Sequence, residues 1–427
     1  MNILLLGSGG REHALAWKIS KSAECRKLFI APGNGGTRLH GTNIAMKPSD
    51  FHSVGRFVQE QNIGLVVVGP EDPLVSGIHD YFLADPILRQ VPVIGPVQAA
   101  ARLEGSKDFS KAFMMRHRIP TAAYNTFTSG EYKEACSFLE SLRPPYVLKA
   151  DGLAAGKGVI IVDHYTEACN ELQAMLGGKF GAASEKVVIE EFLKGTELSV
   201  FVYTQGGQYC LLPVAKDYKR AGNADSGPNT GGMGSVSGVP FAGQDFMEKV
   251  DRLIIRPTVA GLQQEGIPYT GFIFFGLIRV GDQPFVIEYN ARMGDPETES
   301  VMPRLKSDIL EMFDHGRAGT LHAYKAEEDE RFVASVMLVS GGYPGSYQKD
   351  KEIFLPPADD DQMIFHAGTR FEENSGKYFT DGGRVLTASA YGESLQKALS
   401  RAYELAGVIR FENAFYRADI GYDLLNY

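Results

Sequence analysis

The most telling run in the chain is Val286-Ile-Glu-Tyr-Asn-Ala-Arg292. Read as a strand, it alternates, and Glu288, Asn290 and Arg292 fall on one face. A carboxylate beside an amide oxygen suits Mg²⁺, which takes one or two protein oxygens and completes its shell with phosphate and water. Arg292 can clamp an anion through two parallel N–H donors. Apolar Ile273, Phe275, Phe285 and Ile287 predict a packed sheet behind this functional face. Gly294-Asp295-Pro296-Glu297 then turns the chain and offers a further carboxylate.

A second reactive run is Lys149-Ala-Asp-Gly-Leu-Ala-Ala-Gly156-Lys157-Gly158. It is not a Walker loop, because Gly158 follows the lysine where Ser or Thr is required. It still has the physics of a phosphate flap, with Lys149 ending a strand and Lys157 in a glycine-rich hairpin. A lysine within ~4 Å of a phosphate oxygen contributes roughly 4 kcal/mol before desolvation. Val188-Ile-Glu190-Glu191-Phe192-Leu193 reads as a strand entering a connector, with Glu197 beyond it. A connector between lobes can offer backbone hydrogen bonds to an adenine, and a nearby carboxylate can accept from ribose hydroxyls.

Gly7-Ser-Gly9-Gly10-Arg-Glu12-His13 ends a strand and opens a helix, the usual place for a phosphate. A dinucleotide fingerprint fails here. Glu12 holds the third glycine position, and Ala31-Pro-Gly-Asn34 stands where a ribose-binding acid is needed. A phosphate or phosphosugar cradle is the better reading, with a tight structural turn as the alternative.

These groups need elements to position them. Ile3–Leu6, Lys27–Ile30, Leu65–Val68 and Val91–Ile94 are short apolar runs bounded by Gly or Pro, as in strands of a parallel sheet buried on both faces. Helix-like stretches between them, such as Glu12–Ser20, give an open α/β sheet with ligands at the strands' carboxyl ends. Ser106–His117 predicts a helix, and Tyr146–Lys149, Val159–Val162 and Val187–Phe192 predict strands. Phe272–Val280 and Phe285–Asn290 predict a hairpin around Gly281-Asp282. Gly222–Gly234 lacks periodicity and reads as a loop that moves or wraps a ligand. A polar stretch at 320–330 marks a boundary, followed by a strand at Val333–Val339. Farther on, Leu395, Ala398, Leu399, Ala402 and Leu405 share one face of a helix. His366 and Arg384 are the main reactive groups of this last part, whose expected role is packing.

The chain has 427 residues, 44% of them hydrophobic and 22% charged, and a net charge of −9. That balance argues against nucleic acid as a partner but not against small phosphorylated ligands. The scattered Cys25, Cys136, Cys169 and Cys210 predict neither disulfides nor a zinc site and fit a reducing compartment. No apolar run approaches a bilayer span of roughly 20 residues. Met1–Gly7 reads as a first strand and not as a leader, so a cytoplasmic protein is expected.

Taken together, the motifs resemble the glycinamide ribonucleotide synthetase (phosphoribosylamine–glycine ligase) family of the ATP-grasp superfamily, along essentially the whole chain. Beyond the runs above, the resemblance rests on Gly69-Pro70-Glu71, Leu103-Glu-Gly-Ser-Lys107, Asp217-Tyr-Lys-Arg220, Gly227-Pro-Asn-Thr-Gly-Gly-Met-Gly234, Arg292-Met-Gly-Asp-Pro-Glu297 and His366-Ala-Gly-Thr369. Tyr218, where many relatives have His, and Glu299, where Gln is common, depart from the pattern.

The resemblance implies a multidomain α/β and α+β protein. Residues 1–102 would form the N-terminal open parallel sheet, and 103–325 a two-lobed ATP-grasp module with a lid at about 122–193. Residues 326–427 would form a mixed α/β C-terminal domain. ATP would lie between two antiparallel sheets. The implied reaction is ATP + glycine + 5-phosphoribosylamine → ADP + phosphate + glycinamide ribonucleotide. Lys107, Lys149, Gly156 and Lys157 would hold phosphates, with Arg220 and Asn229 near them. Glu190, Glu191, Phe192 and Leu193 would flank adenine, and Glu197 the ribose. Glu288 and Asn290 would bind Mg²⁺, or Mn²⁺ in its place. Arg292 would take the glycine carboxylate and Asp295 its amine. Gly9, Gly10, Asn34, Gly69, Pro70 and Glu71 would hold phosphoribosylamine. The partners are these small molecules, with no membrane and no nucleic acid, and the expected state is a monomer. Another ATP-grasp carboxylate–amine ligase and a non-catalytic nucleotide-binding sensor stand as alternatives.

Overall fold

The computed structural model describes residues 1–154, 158–357 and 360–427. The first sheet holds β1 (Asn2–Gly7), β2 (Lys27–Pro32), β3 (Thr42–Asn43), β4 (Ile63–Val68) and β5 (Val93–Ile94). Its order is β3-β2-β1-β4-β5 and every pairing is parallel. Ile3 and Leu5 pack into one core and Leu4 and Leu6 into another, so β1 is covered on both faces. That two-sided burial is why these strands read as unbroken apolar runs. Helix α1 (Gly10–Ile19) leaves the end of β1 directly.

A four-stranded antiparallel sheet follows, with order β6-β9-β7-β8. Its members are β6 (Tyr124–Thr128), β7 (Tyr146–Ala150), β8 (Val159–Val162) and β9 (Lys186–Glu190). Leu148 and Ile189 meet Leu139 and Leu172 from two helices, all four of them fully buried. β9 stops at Glu190, short of the predicted Phe192. The chain leaves the sheet there and crosses to the larger one.

The larger sheet has β10 (Thr196–Gln205), β11 (Gln208–Leu211), β12 (Ala215–Asp217), β15 (Gly234–Ser237), β16 (Thr270–Val280), β17 (Gln283–Asn290), β18 (Phe332–Val339), β20 (Gln362–His366) and β23 (Arg384–Gly392). Its path is β17-β16-β10-β12-β15-β18-β23-β20, with β11 on β10. β15 and β18 pair antiparallel, Gly234 opposite Val336. The sheet thus continues across the polar stretch at 320–330. A small sheet of β19 (Glu352–Ile353), β21 (Thr369–Glu372) and β22 (Lys377–Thr380) lies beside it. The helix Leu395–Val408 buries Leu395, Ala398, Leu399, Ala402 and Leu405, the predicted face.

Two further predicted features differ. The Gly222–Gly234 segment is not a plain loop, because β13 (Arg220–Gly222) and β14 (Ser226–Asn229) pair as a two-stranded ribbon. It buries almost no apolar surface, so no hydrophobic period announces it. In β17 the buried residues are Pro284, Val286 and Tyr289, while Phe285 and Ile287 are only half-buried. The cause is a bulge: Val286 faces Leu277 but Glu288 faces Gly276, leaving Ile287 unpaired. An extra residue reverses the alternation at that point. Glu288 and Asn290 lie beyond it and still share one face.

Candidate active site

Where the two antiparallel sheets approach each other, cations meet carboxylates. Lys149 on β7 reaches across and donates to Glu190 at 3.0 Å and to the carbonyl of Ile287 at 3.3 Å. The bulge is what frees that carbonyl. Lys111 pairs with the same Glu190 oxygen at 3.1 Å, and all three side chains are almost wholly buried. Burial prevails over Glu190 and pulls Lys111 down to about 8. Lys107 starts a helix capped by Ser106, whose Oγ accepts from Phe109 N–H at 3.1 Å. Burial lowers its pKa as well. Gly156 and Lys157 lie outside the described residues.

Glu288 faces this group. It is a third exposed and stands 3.6 Å from Lys219. Burial would raise its pKa, but Lys219, Lys149 and Lys107 outweigh burial and lower it. Lys219 also pairs with Glu197 at 3.0 Å and stands 4.0 Å from Asp217. The ammonium therefore occupies a nest of three carboxylates. Asn290 donates to Glu104 at 3.0 Å, which leaves its amide oxygen to accept. Among the described residues no group of three or more His, Cys, Asp or Glu is arranged to hold a metal. An acid–amide couple is nonetheless the donor set Mg²⁺ uses when phosphate supplies the rest.

Arg292 is held by two acids, Glu104 at 2.6 Å and Glu71 at 3.2 Å. Burial opposes ionisation of Glu71, yet Arg292 and Arg11 bring it down to about 2. Glu104 also accepts from the backbone N–H of Ala291 at 2.7 Å. The connector Glu191–Leu193 links the two sheets. Glu191 bonds Ala123 through its N–H at 2.9 Å and its carboxylate at 2.8 Å, and Phe192 is exposed. Both lysines engage one carboxylate oxygen of Glu190, Oε2. Arg220 and Asn229 sit opposite each other at the root of the ribbon.

A second region is a cleft of about 490 Å³ lined by Ser8, Gly9, Pro32, Gly33, Asn34, Asp295, Tyr343, Ala367, Gly368, Thr369, Asp381 and Arg384. Gly9 approaches so closely that a Cβ would lie 2.8 Å from the Asp295 carboxylate. Asp295 pairs with Arg384 at 2.8 Å, and Arg384 also donates to the Asp295 carbonyl at 2.6 Å. Asn34 ties loops together: its amide donates to the carbonyls of Ser8 and His366 and accepts from the N–H groups of Gly36 and Thr37. Of the residues expected to hold phosphoribosylamine, Gly9 and Asn34 line this cleft. Gly10 lies behind it against Glu299. Gly69 packs on Glu12, and Glu71 turns to Arg292; neither they nor Pro70 line the cleft.

Glu12 explains the broken glycine fingerprint. Its carboxylate accepts from Gly9 N–H and Arg11 Nε, both at 2.6 Å. It fills the space beside Gly7 and Gly69, where a Cβ would meet it at 2.5 Å and 2.1 Å. The loop is thus shaped by an internal acid and not by a bound dinucleotide.

Lys111, Glu104, Lys219 and Arg384 were not singled out for these roles by sequence reasoning. Glu104 and Lys219 lie inside quoted motifs, but no spacing rule pairs them with their partners. Lys111 left no signal. The last segment does more than pack, because Arg384 lines the cleft.

Three histidines clamp the junction behind the cleft. His13 Nδ1 accepts from His366 N–H at 2.6 Å, and its ring centroid lies 5.2 Å from that of His40. Burial lowers all three, His40 to about 4 and His366 to about 3. Below about pH 6.5 the unfolded chain binds protons that the folded one refuses, so stability falls as pH falls toward 4. The expected loss between pH 7.5 and 5.0 is on the order of 1–2 kcal/mol per buried histidine. Urea unfolding at the two pH values checks it, and equal midpoints would contradict it.

Models of phosphoribosylglycinamide synthetase match the chain in three parts: the N domain over 1–104, the ATP-grasp (A) domain over 105–298 and the C domain over 333–423. Phosphoribosylamine–glycine ligase of Vibrio cholerae is 46% identical, over 99% of this chain and 98% of that protein. The Pseudomonas aeruginosa enzyme of the same name is 45% identical over the same shares. The crystal structure of phosphoribosylamine–glycine ligase from Thermotoga maritima superposes with a TM-score of 0.85 at 36% identity, covering 98% of this chain and 100% of that one. A biotin carboxylase domain from Hydrogenobacter thermophilus, solved with Mg-ADP and bicarbonate, shares the fold at a TM-score of 0.72 and 15% identity, over 97% of this chain and 91% of that one. The chain belongs to the phosphoribosylglycinamide synthetase family.

Proposed function

We propose that the chain is an ATP-dependent ligase that activates glycine as glycyl phosphate and joins it to 5-phosphoribosylamine. The products are glycinamide ribonucleotide, ADP and phosphate, in de novo purine biosynthesis. The observation that carries this reading is the meeting of two half-sites along one stretch of chain. Glu288 faces the lysine cluster, Asn290 beside it bonds Glu104, and five residues beyond Asn290 the chain enters the glycine-lined cleft at Asp295.

A carboxylate is a poor acyl donor because oxide leaves badly. Phosphorylating it supplies a leaving group, and phosphoryl transfer needs alignment and charge neutralisation more than a protein nucleophile. Lys107 and Lys149 orient the phosphates, with Gly156 and Lys157 of the flap beside them. Arg220 and Asn229 approach from the ribbon. Mg²⁺, or Mn²⁺ in its place, would be held by Glu288 and Asn290 and neutralise charge on the phosphates. The backbone of Glu190–Leu193 flanks adenine, with Phe192 as an exposed apolar wall, and Glu197 accepts from the ribose.

Arg292, already turned by Glu71 and Glu104, clamps the glycine carboxylate. Asp295, steadied by Arg384, accepts from the glycine amine. The loops at Gly9–Gly10, Asn34 and Gly69–Glu71 shape the phosphoribosylamine side, and Glu190 serves as counter-ion to two lysines. The flap excludes water so that the amine reaches the acyl phosphate first. In this reading residues 1–102, 103–325 and 326–427 are the three units, and the enzyme is a cytoplasmic monomer whose partners are small molecules only. Among the described residues no helix is long and apolar enough to cross a membrane.

The test is ADP release with glycine, bicarbonate or formate, each with and without enzymatically generated phosphoribosylamine. Release that needs both glycine and phosphoribosylamine supports the reading. Release driven by another acid replaces it with a related ligase, and nucleotide binding without product replaces it with a sensor.

A further inference from the structure

We propose that Arg417-Ala418-Asp419 is a clasp that holds the β13–β14 ribbon in shape for the nucleotide, with Arg417 as its positioning residue. The inference rests on the placement of Arg220 and Asn229 at the phosphates.

The ribbon's own ladder is short. Its backbone register pairs Arg220 with Asn229 and Gly222 with Ser226, with an irregularity between them, and the ribbon adds side-chain bonds from Arg220 to the Gly227 carbonyl at 2.9 Å and from Ser226 to the Asn223 carbonyl at 2.7 Å. Isolated two-stranded ribbons are at best marginal in water. Its tip is also strained, with Ala224 at φ +53° and Asp225 at φ +50°, where non-glycine residues are disfavoured.

The clasp meets each of these weaknesses. Arg417 is 1% exposed. One of its terminal nitrogens donates to the carbonyl of Arg220 at 3.0 Å and to Asp225 at 2.8 Å. Its Nε and other nitrogen donate to the two oxygens of Asp419, each at 2.9 Å. Asp419 in turn accepts from the N–H of Ala224 at 2.7 Å, and Asn223 accepts from the N–H of Ala418 at 2.9 Å. Tip and root are therefore gripped by three consecutive residues nearly two hundred positions later in the chain. A planar fork of fixed donors suits this, and a lysine ammonium does not reproduce it. The ribbon is thus a held wall of the site.

The test uses the full chain. Asn223→Ala/Asp225→Ala removes the ribbon's two side-chain contacts with the clasp from a surface where Asp225 is two-thirds exposed, so the fold survives. Amide exchange is expected to rise in residues 220–229 and nowhere else. KM for ATP should rise about tenfold, with KM for glycine changed less than about twofold. Arg417→Lys should show the same split. A variant that only weakens the fold would lose thermal stability without moving the ratio of the two KM values. Unchanged exchange in the ribbon, or an unchanged KM for ATP, overturns the proposal. Wild-type turnover is run in parallel: if it is absent, the functional reading fails separately, and the exchange result alone decides whether the clasp holds the ribbon.

Discussion

Glu288→Ala is expected to lower the rate of ADP formation by about a hundred- to a thousandfold while the chain still folds. The loss follows from where Glu288 stands. It is the carboxylate that faces Lys219, Lys149 and Lys107, and those cations keep it ionised. Removing one preorganised charge-stabilising group from a transfer site typically costs ~10²–10³ in rate. The fold should survive because the side chain is a third exposed, and Lys219 keeps Glu197 and Asp217 as neighbours. Steady-state ADP release at saturating substrates, with a thermal melt of the same sample, checks both halves. Turnover within tenfold of wild type at ordinary Mg²⁺ would remove Glu288 from the metal site.

Glu190→Ala is expected to cost about 3–5 kcal/mol of stability, the scale for stripping one partner from a buried ion pair. Here the single carboxylate answers two buried ammonium groups, Lys111 at 3.1 Å and Lys149 at 3.0 Å. Without it, both lysines are charged in a poorly solvated interior. The pH dependence distinguishes this from simple loss of packing. Lys111 already has its pKa depressed by burial to about 8, while the unfolded chain holds that proton to about 10.5. Between those values the unfolded state binds more protons, so stability rises with pH. Losing Glu190 lowers the Lys111 pKa further and widens the window downward. The variant should therefore recover part of its stability between pH 7 and 9. Urea midpoints across that range check it. A loss below about 1 kcal/mol, or one independent of pH, would mean that the lysines do not depend on Glu190.

The parallel sheet was legible because its strands are buried on both faces and interrupted by glycine and proline, so Ile3–Leu6 and Leu65–Val68 stand out. The helix Leu395–Val408 was legible from its apolar face. What stayed hidden was set by contacts distant in sequence. The bulge at Ile287 leaves no mark in residue types, yet it moves Phe285 off the core face and frees a carbonyl for Lys149. Pairings such as Lys111 with Glu190 or Arg384 with Asp295 join residues from separate elements, and no local period encodes them. Glu12 had been noticed as a broken fingerprint; its role as an internal cap depends on two loops coming together at Gly7 and Gly69. Gly222–Gly234 was read as a loop that moves or wraps a ligand, because it is dense in Gly, Asn and Asp and has no period. Contacts to the ribbon's tip and root come from the far end of the chain.

The central claim is that the terminal phosphate of ATP passes onto the glycine carboxylate before the amine attacks. Turnover with glycine labelled with oxygen-18 in its carboxylate tests this directly. The account predicts one labelled oxygen in each phosphate released, because the carboxylate oxygen leaves with the phosphoryl group. Inorganic phosphate free of label, at a full yield of product, would contradict it.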